Sequence, residues 1–325
     1  MDRALQEKLS AMPDSPEKAE LCRQALDISR ELDYPWDQAH SLGILSFCEI
    51  VLARFQEALE HAQGSLAWLQ KLGEEDKACR MENQIACIHR HLGNYRLAAE
   101  AYLRVGERAG EIGDRLLQAS AYNNLGIIHY YLGDSARALD YYARALDLYG
   151  AMEEPRFSAG AMVNIADIQR EMGEYRSALD NSLKAAMIMM EYGDKKGAAS
   201  AHHVAGKTFR DMGDPVQAMD QWEKCIRLAR DLGDIETEAS ALSHIAELMI
   251  ADGKAEEALE VLDMADGQAK GLGDRRLLLS IHQAYAQAWR QLGDEVKARE
   301  HSALARKIEQ EMREQKGDGG YLGRS

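Results

Sequence analysis

Arg90, Arg170, Arg210 and Arg290 are separated by multiples of forty residues, and Tyr130 stands in the same register. A guanidinium can grip a carboxylate through two parallel N–H bonds, so a row of arginines is a candidate for carboxylate recognition. The competing reading is internal: the same arginines could make salt bridges to acidic residues of neighbouring segments, such as Glu171 or Asp211. Asn124 and Asn164 share a second register, with Asn123 beside the first of them. An asparagine amide both donates and accepts, which suits it to the N–H and C=O of an extended peptide. Inside a helix it is otherwise a poor choice, because it competes for backbone partners. These asparagines therefore face a groove, or they hydrogen-bond between segments.

Catalytic patterns are missing. The chain has no G-x-x-x-x-G-K-[ST], no G-x-S-x-G and no H-E-x-x-H, so no enzyme is expected. The tail "GDGGYLG" is glycine-rich but lacks dinucleotide spacing. His89, His91, His129 and the pair His202–His203 are the best metal candidates. A metal would need ligands at ~2.0–2.1 Å and a third and fourth partner, and no such set is evident. No metal or cofactor is expected, and core or groove packing is the plainer role for these histidines. The run Met187–Met190 reads as soft packing near a junction.

Composition narrows the class further. The chain has 325 residues, 46% of them apolar, with five prolines and a net charge of −15. Surplus Lys and Arg against phosphate are lacking, which argues against a general nucleic-acid binder. Five cysteines form no CxxC pair and read as buried thiols of a reducing, cytoplasmic setting. The start "MDRALQEKLSAMPDSPEKAE" is charged throughout and has no apolar core segment of a leader. No run approaches the roughly 18 apolar residues of a membrane span, so no membrane partner is expected.

Glycine supplies the organisation. Gly93, Gly133, Gly173, Gly213, Gly253 and Gly293 form one ladder; Gly73, Gly113, Gly193, Gly233 and Gly273 form another, twenty residues out of phase, with Glu153 in its gap. Such glycines end helices in the left-handed conformation. Asn94, Asp114, Asp134, Asp194, Asp214, Asp234, Asp274 and Asp294 follow them as candidate caps, and Pro35, Pro155 and Pro215 fall at first-turn positions. Small residues keep the same step at Ala58, Ala98, Ala138, Ala178, Ala218, Ala258 and Ala298, and again at Ser46, Ala86, Gly126, Ala166, Gly206, Ala246 and Ala286. The expectation is a string of helices of about seventeen residues in close pairs that must stack to bury their apolar faces.

Tyr122, Leu125, Gly126, Gly133, Ala138, Tyr142 and Ala145 match the spacings of the tetratricopeptide repeat, and the chain resembles that family over residues 35–314. The usual closing proline is replaced by Gly150, Met190 or Arg230, and the second helix is longer. This long form resembles the repeats of kinesin light chain and Pins-type scaffolds and of bacterial signalling proteins. The resemblance implies an all-α, right-handed solenoid superhelix of antiparallel helix pairs, with first helices lining the concave face. It also implies groove positions at Arg80, Asn83, Gln84 and Arg90, then Asn123, Asn124 and Tyr130, then Asn164, Asp167 and Arg170. His203, Lys207 and Arg210 follow, then Ser243, His244 and Glu247, and last Gln283, Gln287 and Arg290. The expected ligand is an extended acidic peptide or protein segment, held by a scaffold or regulator. The alternative is a sensory and dimerisation module acting on an output partner.

The ends differ from the middle. Residues 1–34 read as a degenerate half-repeat or cap, with a helix starting at Ser15 and Pro16. Seven units with a C-terminal capping helix fill 35–314, and 315–325 read as a flexible tail; the array reads as whole, with a further downstream domain left open. "SLGILSFCEIVL" (Ser41 to Leu52) is apolar on nearly every side, so it is covered by the N-terminal segment or forms a homodimer or partner surface. In the last helix, Val296, Leu304, Ile308 and Met312 suggest a single buried stripe.

Overall fold

A glycine whose φ is positive ends a helix without the steric cost that a Cβ would add. In the computed structural model, which describes residues 16–152 and 155–318 (side chains to 313), every glycine of both ladders has φ between 66° and 81°. The chain then reverses at each one. After Gly93, for example, the N–H of Asn94 donates to the His89 carbonyl at 2.9 Å. The side chains of Asp114, Asp134, Asp194, Asp214, Asp234, Asp274 and Asp294 each accept from a backbone N–H of the following helix. Asn94, also expected to cap, makes no such bond.

The chain forms two compact units, Met1–Glu153 and Glu154–Ser325. The first contains α1 (Pro16–Glu31), α2 (Pro35–Val51), α3 (Phe55–Lys71), α4 (Glu75–His91), α5 (Tyr95–Glu111), α6 (Arg115–Tyr131) and α7 (Ser135–Gly150). The second contains α8 (Pro155–Glu171), α9 (Tyr175–Glu191), α10 (Lys195–Asp211), α11 (Pro215–Leu232), α12 (Ile235–Ala251), α13 (Ala255–Leu272), α14 (Arg275–Gln291) and α15 (Glu295–Asp318). No strand occurs among the described residues, and the fold is all-α. Within each unit a helix packs on its chain neighbours. First helices also meet one another: α4 touches α6, and α8, α10, α12 and α14 touch in succession.

The small-residue ladders lie where helices approach. Ala58, Ala98, Ala138, Ala178, Ala218, Ala258 and Ala298 are fully buried. Gly206 faces the Trp222 indole so closely that a Cβ would sit 2.5 Å from Nε1, and Gly126 faces Tyr142 at 2.6 Å. The Trp222 N–H, removed from water, donates to the His203 carbonyl at 3.3 Å. Of the five free thiols, all but the half-buried Cys87 are buried. No described helix is long and apolar enough to cross a membrane.

Three expectations change. Helix α15 continues through Asp318, so residues 315–318 of the expected tail are helical; residues 1–15 of the cap and 319–325 of the tail lie outside the described residues. In α15 the inward positions belong to Ala298 and Ala305, and Val296 and Leu304 are exposed. Consecutive helix residues point in different directions. For the same reason Met189 is buried while Met187 and Met190 of the methionine run are exposed.

Unit one's apolar helix α2 is covered by α1, through Ala19, Cys22 and Leu26 against Leu42, Leu45 and Cys48. The cover is partial. Ile28, Leu32, Tyr34, Trp36, Phe47 and Val51 remain exposed.

Candidate functional site

The first helices carry the expected groove residues, and the two units treat them differently. In the second unit, charges on α8, α10 and α12 form one connected network. Asp167 pairs with Lys207 at 2.8 Å and Arg170 at 3.0 Å, and Arg170 reaches Asp211 at 2.8 Å and Glu171 at 3.4 Å. Asp211 also meets Arg210 at 3.0 Å, and Arg210 meets Glu247 at 3.4 Å. Glu247 in turn contacts His244 at 3.3 Å and accepts from Ser280 of α14 at 3.3 Å. Burial raises the proton affinity of these carboxylates, but their hydrogen-bonding and basic neighbours outweigh it. Lys207 and Arg170 hold Asp167 below its ordinary value, Arg170 and Arg210 do so for Asp211, and His244 and Arg210 for Glu247.

The arginine row is therefore corrected at two rungs. Arg170 and Arg210 make the internal salt bridges that competed with carboxylate recognition, including those to Glu171 and Asp211. Arg170 keeps only 13% of its side chain exposed. The Asn164 side chain hydrogen-bonds to no described residue. His203 sets its ring edge-on to His244, 5.2 Å away, and His244 stacks on Trp222 at 5.1 Å. Burial, then the neighbouring His244, Lys207 and Arg210, push His203 down to about 3. Gln283, Gln287 and Arg290 are exposed, and Arg290 donates to Ser302 at 2.9 Å.

In the first unit the row stays open. The Oδ1 atoms of Asn83 and Asn123 are buried and accept no hydrogen bond from a described residue, and Arg90 Nε and His89 Nδ1 are buried without a partner. Arg90 Nη2 lies 3.2 Å from His91 and 3.7 Å from the Cys87 sulfur, with no carboxylate in salt-bridge range among the described residues. The Asn124 side chain hydrogen-bonds to no described residue. Gln84 donates to Ser46 Oγ at 2.9 Å, and Arg80 pairs with Asp114. Tyr130 lies beside Tyr131.

The histidines are occupied with rings and amides. His91 stacks on Phe55 at 4.9 Å, His129 on Tyr141 at 5.2 Å, and His202 meets Gln221 at 2.8 Å. Among the described residues no group of three His, Cys, Asp or Glu is placed to hold a metal ion.

One site escaped the sequence reading. A pocket of about 430 Å³ opens in the first unit between α2 and α4, with α1 and α3 contributing to its wall. Trp36, His40, Gly43, Ile44 and Phe47 of α2 face Lys77, Arg80, Met81 and Gln84 of α4. The α2 residues recur at helical spacing, but nothing in one segment announces its partner forty residues away.

The tetratricopeptide repeat family model matches residues 78–151. No curated protein sequence matches the chain. The apo form of the quorum sensor NprR from B. thuringiensis is similar with a TM-score of 0.71 and 14% identity, over 94% of this chain and 84% of that one. A Rap conjugation gene regulator of the plasmid pLS20, solved with a bound peptide, gives 0.67 at 14% identity over 88% and 78%. BtubC from P. vanneervenii gives 0.56 at 19% identity over 71% and 93%. Identities this low show the fold alone. With its helix pairs and forty-residue ladders the chain has a helical-repeat fold, and the tetratricopeptide repeat signature is matched within it at residues 78–151.

Proposed function

We propose that the chain is a non-enzymatic scaffold or regulator that holds an extended acidic peptide segment against its first helices, in a reducing cytoplasmic setting. The observation that carries this reading is the set of buried, unpartnered polar atoms on α4 and α6: Asn83 Oδ1, Arg90 Nε and Asn123 Oδ1. A buried polar group without a partner costs about 1–3 kcal/mol, and a peptide backbone laid along these helices would recover it. Arg90 supplies a cation without a carboxylate of its own, and Arg80 one in an exposed ion pair. The Rap regulator lends support, since a protein of similar fold is in complex with a peptide. Arg170, Lys207 and Arg210 have a structural role in this reading, so the acidic preference rests on the first unit.

The test is selection from a displayed random dodecapeptide library. Wild type should enrich acidic sequences, and Asn123→Ala/Asn124→Ala should lose them with helicity unchanged. Failure to enrich any sequence, or equal enrichment by the variant, sinks the reading.

A second reading, a homodimerising sensory module, is favoured by the apolar exposure of Ile28, Leu32, Tyr34, Phe47 and Val51. Sedimentation should then show a mass that rises with concentration and is lost in Val51→Gln/Leu32→Gln. A monomer at all concentrations removes it.

A further inference from the structure

The pocket between α2 and α4 has a composition unlike the rest of the first-helix face. Its walls are apolar: Trp36, Ala39, Ile44 and Phe47 from α2, Leu69 from α3 and Met81 from α4. Gly43 keeps it open, since a Cβ there would lie 3.0 Å from the Met81 methyl. Its volume of about 430 Å³ falls within the range of small-molecule sites.

Charge sets the second half of the argument. Lys18, Lys77 and Arg80 line the pocket, and no carboxylate is among the described lining residues, in a chain of net charge −15. Lys77 and Arg80 are one helical turn apart on α4 and so share a side of it. Lys77 also lies over the Trp36 ring, 5.4 Å from its centroid. Both cations have outside partners, Glu74 at 2.6 Å and Asp114. Their side chains are half or more exposed, and exposed pairs are worth about 0–1 kcal/mol, so exchange for a ligand anion costs little. The network around Arg170 offers no such exchange.

We infer that this pocket binds a small amphipathic organic acid, with its apolar body against Ile44, Phe47 and Met81 and its carboxylate toward Lys77 and Arg80. A neutral molecule of the same shape would gain nothing from the two cations, which would keep Glu74 and Asp114 as partners. A purely ionic ligand would leave the apolar wall in water. The inference does not depend on peptide binding, and its test uses no peptide.

The experiment is a displacement titration on the full chain with 1-anilinonaphthalene-8-sulfonate as fluorescent probe and 1-naphthoate and 1-naphthamide as matched competitors. The probe should saturate one site per chain. Naphthoate should displace it at least ten times more effectively than naphthamide, and that preference should vanish in Lys77→Glu/Arg80→Glu. Phe47→Gln, a change at an exposed position, should weaken both competitors while helicity is unchanged. Equal displacement by acid and amide overturns the inference. So does probe binding that fails to saturate, or that survives both variants.

Discussion

Arg90 and Arg170 occupy one register position in the two units, and their surroundings separate the units' roles. Around Arg170, three carboxylates from α8 and α10 close on the guanidinium, and the charge is used up within the protein. Around Arg90 there are a thiol, an imidazole, the Tyr102 hydroxyl and an unpartnered Nε, but no carboxylate in salt-bridge range among the described residues. The asparagine register shows the same contrast. Asn83 and Asn123 of the first unit correspond to His203 of the second, which turns to a neighbouring histidine instead of a groove. A repeat thus conserves where a side chain stands while the adjoining repeat decides whether it is free to bind. The second unit is built as a braced face, the first as an open one.

The largest expected effect breaks the brace. Arg170→Met strips a part-buried cation from Asp167 and Asp211 and should cost about 3 kcal/mol, whereas Arg90→Met strands no carboxylate and should cost about 1 kcal/mol or less. Chemical denaturation of both variants measures the difference; equal losses would erase the contrast. The core should not share it. Gly206→Ala and Gly126→Ala each drive a methyl into a buried aromatic ring, and each should cost about 1–3 kcal/mol, read from the shift in urea midpoint. Unequal costs would place the contrast in the packing as well as on the face.

A smaller effect concerns pH. His203 is held neutral down to about 3, below its ordinary 6.5, so on acidification the unfolded chain takes up a proton before the folded one. Its contribution is full above pH 6.5 and is lost as pH falls from there toward 3. His203→Asn, which installs the residue that the register carries in the first unit, should therefore shrink the drop in Tm between pH 7 and pH 5. An unchanged drop would assign the acid sensitivity to other groups.

The smallest effect lies in the turns. The second unit has glycine at every left-handed stop, while the first has Asp33 and Ala53, with φ of 52° and 57°. Ala53→Gly should raise stability by up to about 1 kcal/mol, and Gly213→Ala should lower it by about the same, as Tm shifts of opposite sign.

The glycine stops, the aspartate caps and the small-residue contacts were legible in the sequence because each depends on a few adjacent residues and recurs at a fixed step. The state of the arginine row was not. Whether Arg170 reaches Asp211 depends on two side chains 41 residues apart and on the rotamers each adopts. Both outcomes had the same sequence pattern. The pocket was hidden for a similar reason: it needs Trp36, Leu69 and Met81 from three helices at once, and the overall apolarity of Ser41 to Leu52 signalled only that something covers or meets α2. Asn94 shows the converse limit, a correct residue type at a correct position that does not cap.

The short-range packing of the second unit has a mechanical consequence. Each helix there leans on its chain neighbours and, more lightly, on the helix two places along. Among the described residues every pair of helices in substantial contact lies one or two places apart in the chain, so tension would be borne by a few interfaces at a time. Forty residues drawn straight span about 130–140 Å. Stretched from its ends, this unit would lengthen in increments near that size, behaving as a graded spring with a tooth for every glycine pair.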